Sequence, residues 1–484
     1  MLPNNFRTFS VFIIVLFFSN ISIAQNKTLY SYQDLSKFYF KSQKDSLKKS
    51  WVCPQVFTNK TTQKKYKEIW DSRTDFITEA IDNNDFIYDV DLYNYINGII
   101  TDLKKSNATL LTQSPFLILD RSAAVNAYAL GGNVIAVNLG LITFTQSREE
   151  IALVIAHELS HNILKHPENS MKERAAWLTS DEYKNSLNAV LDSKYERFTR
   201  LKKVLETYTF SRNKHSRYHE SDADSLAIVM LRNSNISFDP RFFLRLDSTD
   251  NAYQLPLKSP VKNYFASYNM QLDDAWFTKR SKGLSSRNYN FKDTTSLNDS
   301  LKTHPDCVER FEKTKNQASA KISLTAIPSS IKDRANKMLL WNMYDNLSLT
   351  PCLYRIFLEK DKGNTDPWFD FMTYNIIAGL YYSNLQLNRF NAIGIIPKEY
   401  ISKNYYELQN MLEQIPSDKL EDLYKSAAGA AFWSGMPSDA KGMKTLFATL
   451  NNDDKNAKGP AAAKDYINSN PSSMYCEFAE HFKK

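Results

Sequence analysis

The chain has 484 residues, 43% of them hydrophobic and 24% charged, with a formal net charge of +8. That length exceeds one ordinary domain and is enough to bury a sizeable core, so two or three units are expected. The basic residues are scattered, with only short clusters such as Lys48-Lys49 and Lys202-Lys203. Without an arginine-rich arm or a nucleic-acid motif, this excess reads as solvated surface, and no nucleic-acid partner is expected.

Arg7, the apolar run Phe9 to Phe18 and the small-x-small site Ser22-Ile23-Ala24 read as a secretory signal over residues 1–24. The run is shorter than the roughly 20 residues a bilayer requires. No later segment is apolar for long enough either, the best stretch being the short, interrupted one around Tyr374–Tyr382. An exported, periplasmic or secreted protein, soluble after cleavage, is therefore expected. Residues 25–64 show no clear pattern. Tyr66, Ile69, Trp70, Phe76 and Ile77 predict an amphipathic helix from Lys64 to Ile81, and Leu92, Tyr95, Ile96, Ile99, Ile100 and Leu103 predict another from Asp91. Phe116–Leu119 and Val134–Val137 are short strand-like runs, with Asn126 to Leu130 and the turn signal Gly131-Gly132 between them. Ser147 stands as an N-cap three residues before Glu150, so a helix starts there and runs to about Lys165. Its apolar residues lie on several sides, which predicts a buried helix. A long helical stretch follows from Ser180 to Leu231, broken near Ser211–Lys214. Residues 250–300 read as a polar surface excursion, 331–433 as helical without a demonstrable repeat, and 450–465 as a flexible linker. Cys53, Cys307, Cys352 and Cys476 have no metal spacing; three disulfide pairings or free thiols are all compatible with them.

His157-Glu158-Leu159-Ser160-His161 is an H-E-x-x-H motif on the predicted buried helix. Residues four apart on an α-helix are rotated by about 40°, so both imidazoles point the same way, as two nitrogen ligands of a tetrahedral Zn²⁺ do. Glu158 stands beside them as a general base. Catalytic zinc takes a third protein ligand. Glu220 is the leading candidate, with Asp224 four residues on as acceptor for a ligand imidazole. Spacing alone leaves other downstream carboxylates open, as well as a surface ion pair between Glu220 and Arg217.

Three segments in order resemble metallopeptidase family forty-eight, the group of HtpX and the CAAX prenyl endopeptidases. They are Asn126-Ala-Tyr-Ala with Gly132 to Ile142, Ala156 to His166, and Ser216-Arg-x-x-Glu220-x-x-Ala-Asp224. The likeness covers roughly residues 65–320. It implies an α+β, mostly α gluzincin fold, with a small sheet beside the active-site helix and a helical C-terminal region. The implied domains are 65–325 for the zinc metallopeptidase and 326–484 for that helical region with a flexible tail. It also implies one zinc per chain on His157, His161 and Glu220. With no internal membrane spans, the chain is most similar to the soluble, exported BepA-like members, which implies protein or peptide substrates and envelope protein quality control.

Thr303-His-Pro-Asp-Cys-Val-Glu-Arg310 is similar to the family's H-P-x-x-x-x-R segment. His304 then stabilises the oxyanion, or fills the open zinc position and holds the enzyme latent; the plain alternative is a helix-entry turn opened by Pro305. Asn126, Ala127, Tyr128 and Ala129 form a candidate edge for an added substrate strand, or else an ordinary buried strand. His166, five residues after His161, lies about 140° around the helix, away from the metal, and reads as a helix-end or packing residue. A rival from another class is an envelope assembly or binding factor whose C-terminal helices hold a partner, with a latent, mainly structural zinc.

Overall fold

The computed structural model describes residues 36–82, 85–246, 253–268, 272–278, 307–452 and 458–483. The expected signal segment and His304 lie outside them. The described residues divide into two compact units, one within 36–246 with 307–336, the other within 253–278 with 337–483.

In the first unit, α1 (Ser36–Ser50) and α2 (Lys60–Asp82) precede a short strand, β1 (Phe86–Ile87), and α3 (Val90–Ser106). Three five-residue strands follow: β2 (Phe116–Asp120), β3 (Ala127–Gly131) and β4 (Val134–Asn138). The sheet order is β1-β2-β4-β3, with β2 and β4 parallel and both outer strands antiparallel. Every residue of β4 is buried, as expected of a central strand covered on both faces, so it lacks the alternation of a half-exposed one. β3 pairs with β4 and has no second partner among the described strands. The β3–β4 turn has φ of 58° at Gly132 and 62° at Asn133, the two positive values of a type I′ hairpin turn.

After the short α4 (Leu139–Phe144) comes α5 (Arg148–Ile163). The Ser147 hydroxyl accepts from the Glu150 amide while the Glu150 carboxylate accepts from the Ser147 amide, closing a capping box. α5 is buried around nearly its whole circumference, between α8 and the sheet. α6 (His166–Thr179), α7 (Asp181–Leu191) and α8 (Arg197–Asn233) follow, then α9 (Arg241–Leu246) and α10 (Cys307–Thr314). α8 runs unbroken through 211–214, contrary to the expected interruption. The chain instead breaks at 192–196, where Glu196 takes φ of 58°.

The second unit is helical and centred on Pro367–Leu385, which is buried along nearly its whole length. Its apolar character serves this packing, and no described helix is long and apolar enough to cross a membrane. Two 3-10 helices, Val261–Tyr268 and Asp274–Phe277, belong to this unit and bury Val261, Phe265, Tyr268 and Trp276, so this part of the polar stretch is not a bare excursion. The expected linker is likewise corrected at its end: Gly459–Ser469 is a helix with Pro460 in its first turn. All four cysteines are free thiols.

Candidate metal centre

α5 and α8 build the site together. His157 and His161 lie one turn apart on α5, with their Nε2 atoms 3.1 Å from each other. Glu220 on α8 reaches them, its two oxygens lying 3.2 Å from His157 Nε2 and 3.5 Å from His161 Nε2. One ligand atom from each residue falls within 4.8 Å of the others, so these three side chains can hold a metal ion. His157, Glu158 and Glu220 are buried.

Each histidine is oriented from its other nitrogen. His157 Nδ1 lies 2.9 Å from Asp224 Oδ1 on α8. Arg310 of α10 grips the same carboxylate with two bonds, Nη2 to Oδ1 at 2.6 Å and Nε to Oδ2 at 2.9 Å. It also lies over the Phe243 ring at 4.4 Å. Its 3.4 Å approach to His157 Nδ1 is too long to displace Asp224. His157 therefore donates from Nδ1 and faces Glu220 with Nε2, the nitrogen left for a metal once its proton is displaced. With Nε2 deprotonated, its lone pair and the Glu220 oxygens face one point. Such a set is repulsive when empty of charge and fits a divalent cation with N and O ligands.

The titration tendencies agree. Burial and the Arg310 charge push His157 down, but Asp224 and Glu220 outweigh them and raise it to about 10. Burial pushes the Asp224 carboxyl up, while Arg310 and His157 hold it well below the usual carboxylate range. Without a metal, the pocket thus attracts a proton where it is built to attract a cation.

His166 stands elsewhere than expected. α5 ends at Ile163, Lys165 takes φ of 56°, and Pro167 opens α6, so the chain turns back instead of continuing the helix. His166 Nδ1 comes to 2.9 Å from His161 Nδ1, and its ring stacks on His219 at 4.2 Å and 13°. Burial and the neighbouring His219 lower its pKa to about 4.

The β3–β4 hairpin is tied to the same helices. Asn162 bridges it, accepting from the Gly131 amide at 3.1 Å and donating to the Val134 carbonyl at 2.9 Å. Glu168 accepts from the Gly132 amide at 2.8 Å. Arg73, sandwiched between Trp51 and Trp70, donates to the Leu130 carbonyl at 3.2 Å. Of the candidate edge residues, Ala127 is buried while Asn126, Tyr128 and Ala129 are half-buried. Arg310, Asn162 and Arg73 were not assigned a role from sequence; the H-P-x-x-x-x-R spacing is the one signal that pointed at Arg310.

Residues 94–318 match the family described as Peptidase family M48. The chain is similar to a Vibrio cholerae protein named as a beta-barrel assembly-enhancing protease, 27% identical over 168 residues, which are 34% of each chain. A Yersinia pestis beta-barrel assembly-enhancing protease is 28% identical over 157 residues, 32% of each chain. The similarity thus spans about a third of the length of these relatives.

Proposed function

We propose that this chain is an exported zinc metalloendopeptidase that hydrolyses peptide bonds in envelope or misfolded proteins. The observation that carries the reading is the convergence of His157, His161 and Glu220 ligand atoms within 4.8 Å, on the helix that also bears Glu158. When bound, zinc supplies Lewis acidity and lowers the pKa of a coordinated water to about 7. Glu158 takes a proton from the attacking water as its oxygen bonds to the peptide carbonyl carbon. It then delivers that proton to the amine nitrogen as the C–N bond breaks. Asp224, held by Arg310, keeps His157 in the tautomer a metal ligand needs. Asn126 to Ala129 offer a strand edge for an extended substrate. The likeness of the His304 segment to the family's H-P-x-x-x-x-R pattern supports a role for that residue as oxyanion donor or as a latch on the open ligand position. The names of the relatives support envelope proteins as substrates or partners, with the C-terminal helices as the contact. The signal-like residues 1–24 support export.

The test is Glu158→Gln. It retains the metal ligands and is expected to keep one zinc per chain while casein hydrolysis falls by about 10²–10⁴-fold. A variant that hydrolyses casein at the wild-type rate would sink the mechanism. A variant that loses hydrolysis but still performs the biological role would favour the assembly factor.

A further inference from the structure

Asp224 accounts for how His157 is oriented, but it does not reach His161. The second imidazole has a different support, assembled from three features that no helix periodicity requires. Lys165 adopts a left-handed conformation, which is disfavoured for a side-chain-bearing residue. Pro167 restarts the helix directly afterwards. Between them His166 is buried, with Nδ1 2.9 Å from His161 Nδ1 and its face on His219, the residue preceding Glu220.

Two nitrogens at that distance share one proton. If His161 turns its Nε2 lone pair toward Glu220, its own proton sits on Nδ1, and His166 must accept it there while carrying its proton on Nε2. His166 therefore does for His161 what Asp224 does for His157, using a neutral ring where the other side uses a carboxylate. Its stacking on His219 also joins the end of α5 to the turn of α8 that bears Glu220. The three ligands are then held by two separate clamps, His157–Asp224–Arg310 and His161–His166–His219.

We propose that His166 is a positioning residue that fixes the tautomer and direction of His161 and so sets the affinity of the site for zinc. This rests on the reading of His157, His161 and Glu220 as zinc ligands. The experiment is chelator competition for zinc on the full chain, comparing wild type, His166→Asn and His166→Phe, with no hydrolysis involved. The phenyl ring can stack but cannot accept, and should weaken zinc binding by about 10–100-fold. The Asn side-chain oxygen can accept, and should restore most of that loss. Equal affinity for wild type and His166→Phe would overturn the proposal, as would equal losses in the two variants. A wild type that binds no zinc would instead overturn the ligand assignment beneath it.

A second measurement needs no variant. Long-range ¹H–¹⁵N spectra of histidine-labelled, zinc-loaded wild type should show His166 protonated on Nε2 with a bare Nδ1. A proton on His166 Nδ1 would contradict the proposal even if His166→Phe failed to fold.

Discussion

Asp224 is a carboxylate buried beside an arginine, an arrangement whose worth depends on keeping both partners. Replacing Arg310 by Met leaves the Asp224 charge buried against a single imidazole. Breaking a buried pair in this way costs about 3–5 kcal/mol, to be read from the midpoint of urea denaturation. A loss under about 1 kcal/mol would show that water replaces the guanidinium freely. The two titrating partners also give opposite pH signatures. Asp224 is depressed in the folded state, so its contribution is complete above the unfolded value of about 3.9 and is lost as pH falls toward the folded one. His157 is raised, so its contribution is complete below about 6.5 and is lost as pH rises through about 10. Metal-stripped protein should therefore melt at progressively lower temperature between pH 6.5 and 10. Zinc-loaded protein should lack that particular decline, because His157 must already be deprotonated to serve as a ligand. An apo melting temperature flat across this window would contradict the His157 assignment.

The elements that carry the site have their own points of vulnerability. Gly140 in α4 is one: a Cβ there would meet the carbonyl oxygens of Ala123 and Ala124 at 2.2 and 2.3 Å. Those are backbone atoms that cannot swing aside, so Gly140→Ala should destabilise by about 1–3 kcal/mol in chemical denaturation. Wild-type stability in this variant would mean the 122–126 loop moves freely. The elements also show what was legible in the sequence. The capping box and the pair of histidines one turn apart are local patterns, and α5 forms as Ser147, Glu150, His157 and His161 indicate. Glu220 is a long-range partner that periodicity could not single out; the family-like segment around it did. His166 stands at a helix end and packs on His219, as its place after Lys165 indicates, but the turn before Pro167 brings it to His161 instead of away from the site. The polar run 211–214 looked like a break, yet it contains neither Gly nor Pro, and α8 passes through it.

At the scale of the whole molecule, the α+β, mostly α character and the helical C-terminal unit follow from the strand-like runs before residue 140 and the helical pattern after 331. The grouping of 253–278 with the C-terminal unit was hidden by its polar composition; it is five spaced residues, Leu257, Val261, Phe265, Tyr268 and Trp276, that are buried. A resident metal would add to the stability of the unit that holds it. Zinc at 100 times its Kd stabilises by about 2.7 kcal/mol if the unfolded chain does not bind it. Chelation should accordingly lower the melting temperature and stop hydrolysis together, with zinc restoring both.

The measurement that bears most directly on the central claim is paired zinc stoichiometry and casein hydrolysis for the wild type and Glu158→Gln. One zinc per chain in both proteins, with hydrolysis in the wild type alone, is the predicted result. Hydrolysis that persists in the Glu158→Gln variant, or a wild type that is active with no zinc bound, would contradict it.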